Sequence, residues 1–441
     1  MEWLQKIYIF FLNPFCRLSE KIESRIKTKL IYVTCFLLYG ICYVWYTMVA
    51  FDHVPTLLSR MFQGIVLVVI LVFLGLDKPL KTVKWNKLFA WVWFLLGAVI
   101  FIMGFITEQN PGYWMTGPVI AIGFPCLYMV YGEEKKYMVL FDAFCKAAII
   151  ITIIYFFASL VGEFFRPMAW GLDGRYNGIA QDSNRVGELC IMSFSCIMFY
   201  FYTSKKNRFW YLAIVSLGIV LGQVYLTQSR TTILAIIAMI IFYFIVFIRD
   251  FVKKGKEKKI NRIKTIVIFA CLAMIIAGIT VFITTEVRDH NPNRVLYEEE
   301  YRDVLPEGQD LNSYSSGRFK IWGLYADGFN FFGNTRDLEV SISDEIYQVN
   351  AHNSLIEITY RSGYIAGLLF LAIEIYVGLF ILWVMFRKKN SGYIEGDVLI
   401  ATNAIGFMLF TNLMPAYNPI TAFSFFVFVL TLFPMFIKKG R

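Results

Sequence analysis

The chain has 441 residues, 58% of them hydrophobic and only 17% charged, with a mean hydropathy of +0.59 and a formal net charge of +10. A soluble domain carries about a quarter charged residues, so these values exclude an ordinary soluble enzyme and point to a membrane protein. The basic excess flanks apolar runs, where anionic lipid explains it without a nucleic-acid partner.

Residues 1–29 carry Lys6, Arg17, Lys21, Arg25, Lys27 and Lys29 around a short apolar patch, Ile7 to Phe11, that ends at Asn13-Pro14 with no small-residue cleavage site. This reads as a cytoplasmic amphipathic segment lying at the interface, not a cleaved signal. Apolar runs of about 18 to 23 residues follow, the length that crosses a bilayer. They predict twelve transmembrane helices, near 30–50, 59–76, 87–106, 115–131, 139–162, 184–203, 209–227, 231–249, 265–284, 364–386, 398–415 and 419–437. The expected fold is an all-α polytopic membrane protein forming one integrated domain. Helices one to nine occupy 30–284, a large loop with short helices occupies 285–352, and helices ten to twelve occupy 353–441.

Every second loop is basic: Lys78, Lys81, Lys84 and Lys87; Lys135 and Lys136; Lys205, Lys206 and Arg208; Arg249 through Lys264; Arg387 to Lys389; and Lys438, Lys439 and Arg441. By the positive-inside rule both termini are cytoplasmic and the large loop faces outward. The eight cysteines fall in spans or on the cytoplasmic side, so neither a disulfide framework nor a cysteine metal site is expected.

The outward segments carry the chemistry. Arg166 to Arg185 contains a glycine-rich loop, Gly171-Leu172-Asp173-Gly174-Arg175-Tyr176-Asn177-Gly178, that re-enters the next span. The 285–352 excursion holds 13 Asp and Glu against 6 Arg and Lys. Within it, Gly317 to Phe332 places Phe319, Trp322, Tyr325 and Phe329 at helical spacing and predicts a short amphipathic helix on the membrane surface. Ser354-Leu355-Ile356-Glu357 fits a capping box, and Gly363 to Gly367 a small-xxx-small packing pattern.

Outward cations are nearly all arginine: Arg60, Arg166, Arg175, Arg185, Arg230, Arg288, Arg294, Arg302, Arg318 and Arg336, against Lys320 alone. The guanidinium fork keeps its charge in low dielectric and grips phosphate with two hydrogen bonds. The loop's own carboxylates explain a single such arginine as readily. Arg230 stands apart because it sits in a very short turn between two apolar spans, where an uncompensated charge is costly. Arg175 and Arg318 lie in outward segments just before membrane-seeking sequence. His352 adjoins a predicted helix start, whose positive end disfavours imidazolium and suits a general base; a capping role explains it too. Glu188 and Glu374 fall in spans and read as polar ties between helices, in preference to a proton relay. No phosphate-loop, His-Glu-x-x-His or Asp-x-Asp metal motif is present.

Four of these elements together resemble the O-antigen ligase and O-antigen polymerase superfamily. Ala351-His352-Asn353-Ser354-Leu355-Ile356-Glu357 through Gly363-Tyr364-Ile365-Ala366-Gly367 is similar to its His-Asn-Ser segment and glycine-rich helix start. Ser229-Arg230 resembles its Ser-Arg turn, and Gly317-Arg318 with Trp322 its Gly-Arg-x-x-x-Trp element. Arg175-Tyr176-Asn177-Gly178 followed by Asp182-Ser183-Asn184 resembles its Arg-x-x-Gly…Asp-Pro-Asn element, with Ser183 replacing the usual proline. The resemblance implies an inner-membrane glycosyltransferase of bacterial surface polysaccharide that uses a polyprenyl-pyrophosphate-linked glycan, needs no metal or other cofactor, and can work beside a chain-length regulator. It implies that Arg230 and Arg318 hold the pyrophosphate with Arg175 assisting, that His352 is the base, and that Asn353, Asn184, Arg185 and Glu357 support them. A polymerase that extends a lipid-linked repeat unit leads. A ligase with another acceptor, a flippase or exporter of lipid-linked oligosaccharide, and a non-catalytic receptor are the alternatives.

Overall fold

The computed structural model describes residues 2–40, 57–77, 80–109, 114–132, 134–165, 175–180, 183–203, 207–251, 256–290, 318–336, 338–342, 345–348, 351–386 and 394–413. The span expected at 419–437, Arg166 to Gly174, Asp182 and the large loop from Asn291 to Gly317 lie outside these residues, as do the side chains of Arg185 and Arg318.

The elements are α1 (Glu2–Glu20), α2 (Ser24–Gly40), α3 (Leu57–Gly75), α4 (Lys87–Ile106), α5 (Thr116–Val130, with a π-turn at Val119–Gly123), α6 (Glu134–Phe165), α7 (Ser183–Thr203), α8 (Arg208–Thr227), α9 (Arg230–Phe251), α10 (Lys256–Asp289), α11 (Arg318–Asp327), β1 (Glu339–Ile342), β2 (Glu345–Gln348), α12 (Ser354–Phe386) and α13 (Ile394–Leu413). Among the described residues, Lys87–Ile106, Lys136–Glu163, Phe209–Thr227, Ala270–Asp289 and Ser354–Phe386 are long and apolar enough to cross a membrane. The architecture is that of an all-α membrane protein. Its loop also contains a small antiparallel hairpin, with Glu339 opposite Gln348, which a reading of the loop as short helices alone misses.

α1 exposes Trp3, Ile7, Phe10, Phe11, Phe15 and Leu18 while burying Leu4, Tyr8 and Cys16. An apolar face left open at helical spacing is what an interfacial helix offers to lipid. Its buried face is tied to the bundle through Gln5, whose amide exchanges hydrogen bonds of 2.8 and 2.9 Å with the Val83 backbone. The same end of the bundle gathers lysines. Lys27 of α2 and Lys136 of α6 reach Asp77 at 3.3 and 2.5 Å and also donate to the carbonyls of Leu76 and Gly75, just past and at the end of α3. Burial alone would raise the Asp77 carboxyl, but the two ammonium groups outweigh it and hold it below its ordinary value.

Side-chain contacts orient the helices. The Tyr32–Asp142 bond and the Gly40–Ile151 contact set α2 parallel to α6. The Thr152–Ser193 bond at 2.7 Å and the Phe141–Phe199 stack set α6 against an antiparallel α7. Gly218 on Ile276 and Gly222 on Thr280 lay α8 parallel to α10. Asn86 bonds Tyr376 and Gln109 bonds the Arg361 carbonyl, so α4 runs opposite to α12. The start of α7, the α8–α9 turn and Gly363 therefore share the end away from the lysines.

α12 is not one rod. Gly363 has φ 83 and ψ 172, and its neighbours are claimed from elsewhere. Gln109 Nε2 donates to the Arg361 carbonyl, Asn334 to the Tyr360 carbonyl, and Tyr364 N to the Asn330 carbonyl. The first segment folds back along the second, so that Thr359 abuts Gly367. In a straight helix Asn353 and Glu374 would be roughly 31 Å apart, yet both hydrogen-bond the Asn412 side chain. The small-xxx-small pattern thus serves a hairpin within α12 rather than packing between separate helices. A Cβ at Gly363 would lie 2.0 Å from the Phe331 carbonyl oxygen. Gly363→Ala is expected to cost at least about 1–3 kcal/mol from its backbone conformation alone, and to show as lost accumulation and a lowered melting temperature of the purified protein.

Candidate functional site

Two clusters form at the end opposite the lysines. The first joins α6, α7 and the α8–α9 turn. Gly178 is left-handed (φ +57), and a Cβ there would meet Ser159 Oγ at 2.8 Å and Tyr155 Oη at 3.0 Å, so only glycine fits. Ile179 N donates to Ser159 Oγ at 3.2 Å, and Ala180 N closes the turn on the Asn177 carbonyl at 3.0 Å. The turn delivers Arg175 and Tyr176 to the end of α8. Arg175 Nε donates to the Thr227 carbonyl at 3.0 Å, and Tyr176 N to the Leu226 carbonyl at 3.2 Å. Gln228, also left-handed (φ 48), then reverses the chain, and Ser229 Oγ donates to Asn184 Oδ1 at 3.2 Å. α9 opens on Arg230, which is exposed.

A guanidinium in the first turn of a helix adds to the positive end of the dipole, a placement that costs about 0.3–1 kcal/mol at a surface. α11 likewise opens on an arginine, Arg318. Two helices that each begin with a cation, at one end of a bundle, are disfavoured in isolation and favoured beside a polyanion.

The second cluster holds His352. Trp322 Nε1 donates to the Ala351 carbonyl at 2.6 Å, and Ala351 N donates to Glu357 Oε2 at 3.0 Å. The other Glu357 oxygen accepts from Arg361 Nε at 2.7 Å, in a buried pair. Tyr325 of the predicted amphipathic helix is fully buried on Tyr360, so that helix packs on the start of α12. His352 itself has φ 51, a left-handed conformation uncommon outside glycine, which His, Asn and Asp adopt more often than other residues. Such strain, of order 1–3 kcal/mol, persists only where the surroundings impose it. Here the backbone is fixed on both sides, because Asn353 Oδ1 accepts from Ile356 N at 3.1 Å. Asn353 is therefore the helix cap. The capping box expected on Ser354 is displaced by one residue, and Glu357 reaches back to Ala351 instead.

α13 brings the clusters together. Asn353 Nδ2 donates to Asn412 Oδ1 at 3.3 Å. Phe242 and Val246 of α9 share a buried cluster with Val384 and Ala401. Counting from Phe242 to Arg230 on α9 and from Ala401 to Asn412 on α13, which runs the opposite way, each path rises roughly 16–18 Å. Arg230 thus starts its helix level with Asn412 and Asn353. Sequence reasoning missed Trp322 as a donor, along with Gln109, Arg361 and Asn412; the Trp in the Gly-Arg-x-x-x-Trp spacing was the available signal for the first. Trp322→Phe keeps the ring but strands the buried Ala351 carbonyl, a loss of about 1–3 kcal/mol at that contact. It is expected to lower the activity of the purified protein about tenfold, the scale of that contact energy, while the melting temperature moves by only a few degrees.

A polytopic helical membrane protein with arginine-led helices and a pinned, strained histidine at one end is the class these features define. Residues 215–371 match the family model described as O-antigen ligase, a match that supports the resemblance to the O-antigen ligase and polymerase superfamily. The match takes in the Ser229-Arg230 turn, α11 and the His352 segment, and the Arg175–Asn184 element lies before it. Members of this family are glycosyltransferase-like enzymes of polysaccharide biosynthesis. No curated protein matches the sequence.

Proposed function

We propose that the chain is a bacterial surface-polysaccharide polymerase of the cytoplasmic membrane, transferring a glycan from a polyprenyl-pyrophosphate carrier to a lipid-linked repeat unit. The lysine-rich end faces the cytoplasm, the arginine-led end faces outward, and twelve spans carry the chain across. The observation that carries the reading is the hydrogen bond from Trp322 to the Ala351 carbonyl. It joins the Arg318 element to the His352 element, as the Ser229–Asn184 and Arg175–Thr227 bonds join the other two.

In this reading Arg230 and Arg318, with Arg175 behind them, hold the donor pyrophosphate at two positive helix starts. Asn184 and Arg185 support the first cluster, and Asn353 and Glu357 the second. His352 takes the proton from an acceptor hydroxyl. The hydroxyl oxygen bonds to the anomeric carbon, and the bond from that carbon to the pyrophosphate oxygen breaks. The charge that develops on the leaving pyrophosphate meets fixed cations, the largest effect such a site can supply.

A deletion strain complemented with the wild-type gene tests this, by measuring surface-glycan chain length together with the lipid-linked pool. A polymerase leaves single repeat units on the outer-face carrier when absent. Accumulation on the cytoplasmic face would identify a flippase instead. Full-length glycan held on the carrier and missing from its final acceptor would identify a ligase.

A further inference from the structure

Glu374 lies near the middle of the Gly363–Phe386 stretch, is buried, and faces α13. Its Oε1 accepts from Thr411 Oγ1 at 2.9 Å and from Asn412 Nδ2 at 2.8 Å. The other end of the Asn412 amide, Oδ1, accepts from Asn353 Nδ2 at 3.3 Å, and Asn353 Oδ1 accepts from Ile356 N at 3.1 Å.

This chain of amides has a fixed polarity. Glu374 Oε1 accepts from the Asn412 NH2, which leaves the Asn412 oxygen to face Asn353. A backbone N–H can only donate, so Asn353 must turn its oxygen to Ile356 and its NH2 to Asn412. Flipping either amide sets oxygen against oxygen, or NH2 against NH2. In the interior of a membrane protein there is no bulk water to absorb that mismatch.

We propose that Glu374 and Asn412 are positioning residues. From α12 and α13 they lock the side chain of Asn353, and with it the left-handed backbone of the adjoining His352. This rests on His352 being the base. Neither residue touches the reacting atoms; together they hold the strained backbone of His352 from behind.

The test uses purified full-length protein with a polyprenyl-pyrophosphate-linked oligosaccharide donor and its lipid-linked acceptor. Glu374→Leu removes the acceptor and is expected to lower kcat about a hundredfold, the scale of a misplacement near 1 Å, with the donor KM unchanged. Glu374→Gln keeps an oxygen that accepts from Asn412 and is expected to hold kcat within about threefold of wild type. Asn412→Leu should match Glu374→Leu, and the double variant should be no worse than either, because both cut one chain. If Glu374→Leu does not accumulate, Asn353→Ser replaces it: the hydroxyl still caps the helix, the donor to Asn412 is gone, and kcat is again expected to fall.

A normal kcat in Glu374→Leu or Asn353→Ser overturns the proposal. So does a Glu374→Gln loss as deep as that of Glu374→Leu, which would make Glu374 a charged participant. Strictly additive losses in Glu374→Leu and Asn412→Leu would do the same. His352→Asn runs alongside. If it transfers glycan at the wild-type rate, the base assignment fails; if it is inactive while Glu374→Leu is normal, the positioning role alone fails.

Discussion

His352→Asn is expected to leave the protein folded and membrane-inserted while lowering glycan transfer by about 10²–10⁴-fold, the range that removal of a general base produces. Asparagine is the informative replacement because it adopts the left-handed conformation more readily than most residues. It therefore keeps the φ 51 backbone that Ala351 and Asn353 impose, and the Trp322 and Glu357 bonds to Ala351 involve no His352 atom. What it removes is the imidazole. Donor binding should be unchanged, since the pyrophosphate is assigned to other residues. Melting temperature, kcat and donor KM of the purified variant check all three statements; a variant as active as wild type removes His352 from the chemistry.

Arg230→Gln and Arg318→Gln are expected to lose about 10²–10³-fold in kcat/KM each, the scale of deleting a preorganised group that meets developing charge. Their stability should not fall with their activity. Each arginine opens a helix, where its charge opposes the dipole, so a neutral residue is expected to hold or slightly raise the melting temperature. That divergence separates these arginines from ordinary surface ion pairs, whose loss changes stability by about 0–1 kcal/mol and leaves catalysis alone. Arg230→Lys and Arg318→Lys should recover only part of the activity, because an ammonium lacks the planar fork.

The helical, membrane-embedded character of the chain was legible because hydrocarbon imposes it: apolar stretches of spanning length have few structures open to them. The four motifs were legible as residue types in order, and Glu374 as a polar tie between helices was a correct reading. What sequence could not provide is the path of the chain between His352 and Glu374. Hydropathy places the span at 364–386, but nothing in it shows that the preceding helix folds back along that span at Gly363, held by Gln109 and Asn334 from outside α12. The capping box was misplaced for a related reason. Ser354 and Asn353 are both good caps, and what decides between them is the Ile356 N–H donating to Asn353 Oδ1, with Glu357 drawn back to Ala351. Long-range backbone acceptors of this kind leave no periodicity to read. The β1–β2 hairpin was missed because its strands are only four residues each, too short for alternation to stand out.

The claim on which the rest depends is that two arginine-led helix starts bind the diphosphate of a lipid carrier. Equilibrium binding of polyprenyl pyrophosphate to purified wild type, His352→Asn and the Arg230→Gln/Arg318→Gln double variant measures it most directly. The account predicts that His352→Asn binds as wild type does, while the double variant binds at least about a hundredfold more weakly, as the loss of two charge-assisted contacts requires. Equal affinity in the arginine variant and wild type would contradict it.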